Sequence, residues 1–163
     1  ASAFNNQYGE TFVVPEARIE ESVMTIPGTD GKKMSKSYGN IIDIFLPDKE
    51  LKKQIELIVT NSTPLEAPKN PDTDNVFAIY KLIATAEQTE SLRRKYLGGN
   101  FGYGHAKQEL FDLIVNTYPK ERERFTYYMS HPTELEKELQ LGETKARKIA
   151  RQVLNNVRSK LGY

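Results

Sequence analysis

The sequence contains no cysteine, so neither a disulfide framework nor a thiolate metal site can form, and cysteine usage leaves the redox compartment open. Histidine is nearly absent as well: His105 and His131 are the whole complement, and their separation does not match a metal-ligand spacing. Long apolar runs are missing. The richest, Ile41-Ile42 and Ile44-Phe45-Leu46, is interrupted by Asp43 and falls far short of the roughly 20 residues a helix needs to cross a bilayer. No basic segment followed by an apolar stretch leads the chain, so nothing reads as a secretory signal and a cytoplasmic location without membrane attachment is the expectation. Charge of one sign is not in excess either: 23 basic residues against 22 acidic ones give a formal net charge of +1. A balanced total argues neither for nor against a nucleic-acid partner until the distribution is considered. What is present is a 38% hydrophobic content in 163 residues, enough to pack one full domain, or a small domain with a remnant of another.

Two textures divide the chain. Glu10-Thr11-Phe12-Val13-Val14-Pro15 reads as a short β-rich run stopped by proline, and Asn40 to Phe45 as a second strand run. A strand of this length cannot satisfy its backbone groups alone, so residues 1–46 are expected to be a remnant of an α/β domain. From Pro47 onward the periodicity is helical. Leu51, Ile55, Ile58 and Val59 share one face, with Asp48 as candidate N-cap. Asp74 or Asn75 can cap a helix carrying Val76, Ile79, Tyr80 and Ile83, and Thr85 with Gln88 fits a capping box whose helix stops at Gly98-Gly99. A further helix is expected from near Gly104 through Ala106, Leu110, Leu113 and Ile114, kinked or divided at Pro119 and resuming through Phe125, Tyr128 and Met129. Thr133 and Glu136 suggest a second capping box, with Gly142 separating its helix from the last. That last helix carries Ala146, Ile149, Ala150, Val153, Leu154, Val157 and Leu161 on one stripe. Residues 47–163 are therefore expected to form an antiparallel helical bundle. The fold class is mainly α.

The charges are segregated where the totals hide it. From Glu143 to the end there are six basic residues (Lys145, Arg147, Lys148, Arg151, Arg158, Lys160) against one acid. Such a face is either simply solvated or turned towards phosphates. Between Gly28 and Gly39 lie Lys32, Lys33 and Lys36, Ser35 and Ser37, and three glycines, with Met34 almost alone as an apolar residue. Glycines give the backbone freedom, lysines supply compact positive charge, and hydroxyls with exposed N–H groups can bind phosphate oxygens. By composition the stretch is either a basic surface turn or a polyphosphate loop. It is not a Walker A loop, because counting from Gly28 that pattern needs a glycine where this chain has Lys33.

The order of the residues adds what composition leaves open. Lys33-Met34-Ser35-Lys36-Ser37 matches the KMSKS signature of class I aminoacyl-tRNA synthetases in full. The flanks Pro27-Gly28-Thr29-Asp30-Gly31-Lys32 and Tyr38-Gly39-Asn40, and further along Pro71-Asp72-Thr73-Asp74-Asn75-Val76-Phe77-Ala78-Ile79-Tyr80-Lys81-Leu82 and Gly102-Tyr103-Gly104-His105-Ala106-Lys107, are similar to the tryptophanyl-tRNA synthetase family. The resemblance covers nearly the whole chain. It implies the C-terminal part of a ligase that activates tryptophan with ATP to the adenylate and passes it to tRNA(Trp). It implies ATP contacts from Lys33, Met34, Ser35, Lys36 and Ser37, with Lys36 the principal and Lys33 a supporting catalytic contact to the pyrophosphate. Magnesium is implied on the phosphates, and a homodimer for the full-length protein. The helical part is then the anticodon-binding domain, with Lys145, Lys148 and Arg151 as candidate contacts to the tRNA backbone.

The family's other signature, a His-x-Gly-His or His-x-Gly-Asn turn, is absent, and the amino-acid pocket is expected upstream. The chain alone is thus expected to be inactive. Ala1-Ser2-Ala3, with no leading methionine, reads as a cloning remnant rather than a native start. Two other readings stand beside the tryptophan enzyme: the sister tyrosyl-tRNA synthetase, and a non-catalytic helical RNA-binding module with a KMSKS-like basic turn. His105 reads as a helix-start residue with a local hydrogen bond, and His131 as a turn residue.

Overall fold

The structure is a computed structural model that describes residues 1–19 and 25–163. It contains seven α-helices among the described residues: α1 (Ser2–Tyr8), α2 (Asp48–Glu56), α3 (Asn75–Ile83), α4 (Ala86–Gly98), α5 (Tyr103–Thr117), α6 (Pro119–Ser130) and α7 (Pro132–Leu161). The chain divides into two compact units, residues 20–125 and residues 1–19 with 126–163.

In the first unit the core is built where the helical spacing places it. Leu51 and Ile55 of α2, Val76, Phe77 and Tyr80 of α3, Leu92 and Tyr96 of α4, and Ala106, Leu110 and Ile114 of α5 are all buried. Helices α2 and α3 both pack on α5. Capping follows the local chemistry. Asp74 Oδ1 accepts from the Phe77 amide at 2.9 Å and starts α3, and the same oxygen accepts the buried Tyr96 hydroxyl at 2.8 Å. Burial beside that carboxylate pushes the Tyr96 phenol far up, so it stays a donor. Thr85 and Gln88 exchange both bonds of a capping box at α4, and Gly99 (φ 71°) ends that helix.

Two expectations about this unit change, and one left open between two outcomes is resolved. Asp48 is the first residue of α2 rather than its cap; Pro47 holds the cap position, and the Asp48 carboxylate instead pairs with Arg122, which also donates to the Ile44 carbonyl. Asn40 to Phe45 is no strand, because the Asp43 side chain accepts from Phe45 N and its amide donates to Gln54, turning the chain. Pro119 divides rather than kinks: it sits at the first position of α6, where its missing N–H costs nothing. Lys69 is a buried cation, 2% exposed. Its ammonium donates to the carbonyls of Pro64 (2.9 Å), Ala67 (3.1 Å) and Leu65 (3.3 Å), pinning the proline-rich turn between α2 and α3.

In the second unit, Glu10 to Pro15 is not a strand either. Asn5 of α1 accepts from the amides of Thr11 and Phe12 and donates to the Phe12 carbonyl at 2.7 Å, so a side chain satisfies the backbone that a neighbouring strand was expected to pair. Helix α7 is one continuous helix of 30 residues. Pro132 opens it, with His131 at the cap position, so Thr133 and Glu136 form no capping box. Gly142 does not interrupt it. A glycine ends a helix by adopting a left-handed conformation, and Gly142 is not among the residues with positive φ; inside a helix it costs only about 1 kcal/mol relative to alanine. No residue of α7 is buried.

Candidate functional site

The loop from Ile26 to Asn40 is short of apolar side chains, so its shape must come from polar bonds. Its two arms are joined by Gly28 N to Lys32 O (2.7 Å) and Met34 N to Ile26 O (2.8 Å), with Pro27 and Lys33 facing each other in an isolated antiparallel bridge. The tip is a tight turn closed by Gly31 N to Gly28 O at 3.0 Å, and Gly31 has φ +77°, which an L side chain rarely adopts. Lys36–Tyr38 forms one turn of 3-10 helix, closed by Gly39 in the left-handed conformation.

At the centre lies Asn40, 3% exposed. Its Oδ1 accepts from Ser35 N (2.8 Å), and its Nδ2 donates to Asp30 Oδ1 (2.7 Å) and to the Lys33 carbonyl (3.1 Å). Its backbone carbonyl accepts from Thr29 N at 2.9 Å. The Asp30 carboxyl is held below the ordinary carboxylate range, chiefly by the Asn40 amide, with help from Lys32. Gly28 is buried because Asn40 fills the space beside it; a Cβ there would lie 2.4 Å from Asn40 Nδ2.

The loop is fastened to the helical body of its unit. Val59 lies past the end of α2, and its N–H donates to the Thr29 carbonyl at 2.8 Å while its carbonyl accepts from Asn75 at the start of α3. Hence Val59 is half-exposed rather than part of the α2 apolar face.

The sequence-selected residues fall into two groups. Lys33, Met34, Ser35, Lys36 and Ser37 lie together on this loop. Lys33, Lys36 and Ser37 are exposed, Met34 and Ser35 are half-buried, and the two serine hydroxyls are hydrogen-bonded at 2.8 Å. Lys145, Lys148 and Arg151 lie on α7, in the other compact unit, and all are exposed. The neighbouring Arg147 pairs with Glu143 one turn earlier. The structure places the first group in one loop and the second along one helix. His105 accepts from the Gly102 amide through Nδ1 at 3.2 Å, a local bond at the start of α5. His131 stacks on Tyr127 with ring centroids 4.2 Å apart.

Sequence reasoning missed the residues that shape the loop. Asn40 reads in the sequence as the start of a strand run and, like Asp30, as a flanking residue of the signature, while Asn75 reads as a candidate helix cap; none of the three is picked out as shaping the loop. The available signal was a carboxylate, an amide and glycines closely flanking a lysine-rich stretch that lacks apolar anchors.

A loop of three lysines and two serines held on a polar latch offers cations and hydroxyl donors to a polyanion. The family described as tRNA synthetases class I (W and Y) matches residues 1–119. The tryptophan–tRNA ligase of Campylobacter jejuni (strain RM1221) is 48% identical over 97% of this chain and 50% of its own length. That of Fusobacterium nucleatum is 44% identical over 99% of this chain and 50% of its own. A solved structure of tryptophanyl-tRNA synthetase from Campylobacter jejuni, complexed with ADP and tryptophan, matches with a TM-score of 0.82 at 44% identity, covering 100% of this chain and 51% of that one. The chain thus spans about half the length of these relatives. With the match running through the latched loop and on to the end of α5, this chain belongs to the class I tRNA synthetases of the W and Y group.

Proposed function

We propose that this chain is the C-terminal part of a tryptophan–tRNA ligase and that its loop binds the phosphates of ATP. The single observation that carries the reading is the latched loop: a KMSKS sequence whose lysines project from a backbone fixed by Asn40. The identities of 44–48% to proteins named tryptophan–tRNA ligase favour tryptophan over tyrosine as the amino acid.

In the proposed reaction a carboxylate oxygen of tryptophan attacks the α-phosphorus of ATP, and the bond from that phosphorus to the bridging oxygen breaks, releasing pyrophosphate. Negative charge accumulates on the leaving group. Lys36, with Lys33 in support, stabilises that charge more than it stabilises bound ATP, which is the requirement for acceleration. Ser35 and Ser37 donate to phosphate oxygens, and the backbone at Met34 lies beside the adenine. Closure of the loop over the nucleotide gates the reaction. Magnesium is proposed to be carried on the phosphates of ATP, where it would offset their negative charge.

Residues 1–46 act with the catalytic half and residues 47–163 as the tRNA-binding part, where Lys145, Lys148 and Arg151 contact the tRNA backbone. Binding of this kind depends steeply on salt. The full-length protein is proposed to be a cytoplasmic homodimer; among the described residues no helix is long and apolar enough to cross a membrane. The test is ATP–pyrophosphate exchange on the full-length polypeptide. Tryptophan-dependent exchange supports the reading, and tyrosine-dependent exchange overturns it. The chain alone is expected to form no adenylate, because the His-x-Gly turn and the amino-acid pocket are not in its sequence.

A further inference from the structure

We infer that Asn40 is the positioning residue of the cation loop: its one carboxamide fixes the backbone from which Lys33 and Lys36 reach the departing pyrophosphate. This inference rests on the ATP-loop reading above. Asp30 Oδ1 and the Lys33 carbonyl can only accept, and Ser35 N can only donate. The Asn40 side chain meets the first two with its NH₂ and the third with its oxygen, so its orientation is determined by its partners. No other residue of this size offers two donors and an acceptor in one plane. Aspartate has the shape but would set an oxygen against the Asp30 carboxylate and the Lys33 carbonyl.

The three partners are spread along the loop, one in the turn at its tip and two within the KMSKS stretch. Breaking this side chain's bonds therefore frees both lysines at once. Neither Lys33 nor Lys36 forms an ion pair among the described residues. Their ammonium groups are available to a polyanion while the backbone beneath them is held. The latch is also tied down, since Thr29, bonded to the Asn40 carbonyl, is bonded through its own carbonyl to Val59. Gly28 leaves no Cβ in the space the amide occupies. Holding catalytic groups in place before the reaction lowers the entropic part of the barrier, and a misplacement of about 1 Å can cost about 100-fold in rate.

The test uses the full-length polypeptide and tryptophan-dependent ATP–pyrophosphate exchange. Asn40→Ala is expected to lower kcat by about 100-fold while leaving KM for tryptophan nearly unchanged, since the loop acts on the leaving group. Asn40→Asp is expected to be similarly impaired at neutral pH and to regain kcat as pH falls, because a protonated carboxyl again donates to Asp30; the unmodified protein has no such acid limb. The double exchange Asp30→Asn/Asn40→Asp restores a donor–acceptor pair with its direction reversed, and is expected to recover about 10-fold over Asn40→Asp. A general loss of folding would show neither the acid recovery nor the rescue. Exchange in the unmodified protein with kcat of Asn40→Ala within about 3-fold of it, or a failure of both the rescue and the acid recovery, overturns the inference alone. Absence of tryptophan-dependent exchange in the unmodified protein overturns the reading of the loop and this inference with it.

Discussion

Helices α5 and α7 carry the same kind of apolar stripe and meet opposite fates. In α5, Ala106, Leu110, Leu113 and Ile114 are 0–8% exposed. In α7, a helix twice as long, Ile149, Leu154 and Leu161 are 68%, 46% and 42% exposed, and no residue is buried. Periodicity states which side of a helix can be covered, and it is silent on whether anything covers it. The stabilising term is the apolar area removed from water, which depends on the neighbouring element. For α5 those neighbours are α2 and α3.

Truncating one leucine on each helix measures the difference in burial directly. Leu110→Ala is expected to cost about 3 kcal/mol in urea unfolding of this chain, through lost burial and a cavity, whereas Leu154→Ala should stay within about 0.5 kcal/mol. Equal costs would mean that α7 is packed in solution. Lys69→Met sharpens the contrast within the unit that contains α5. It leaves three carbonyls without their donor and should cost about 2 kcal/mol, measured in the same way.

Gly142→Ala acts on α7 itself. Because the glycine lies inside a continuous helix, alanine should stabilise that segment by about 0.5–1 kcal/mol and slow amide hydrogen exchange around it. A destabilised variant would show that α7 breaks there.

The smallest effect is expected from acid. The Asp72 carboxyl is held below the ordinary carboxylate range by its hydrogen bonds from Arg93, at 2.7 and 3.2 Å. A depressed folded value means that the contribution is complete above the ordinary aspartate range and is lost as pH falls through the lowered one. Asp72→Asn should therefore flatten the acid limb of the urea midpoint against pH while changing little at neutrality. The pair is largely solvated, so the change is small.

Legibility in the sequence followed how local the determining interaction was. The Thr85–Gln88 capping box, the stop at Gly98-Gly99 and the core faces of α3 and α5 could all be read, since each depends on residues within two turns of one another. The KMSKS stretch was legible as an order of residues. Its latch was not, because Asn40 joins groups up to ten positions away and looks, residue by residue, like the start of an ordinary strand. The β-rich run after Gly9 misled for a related reason: β propensity describes a residue's fit to a sheet, and here Asn5 of α1 took the backbone bonds instead.

Read on its own, the sequence determined the helical character of the chain, the start of α3, both ends of α4 and the cation-rich loop with its family likeness, because these rest on short-range periodicity, capping and residue order. The tertiary structure alone decided that Pro132 to Leu161 is one helix with no buried residue, that Lys69 is buried, and that Asn40 is the centre of the loop. Each of these depends on which distant groups come within hydrogen-bonding or packing distance once the chain has folded.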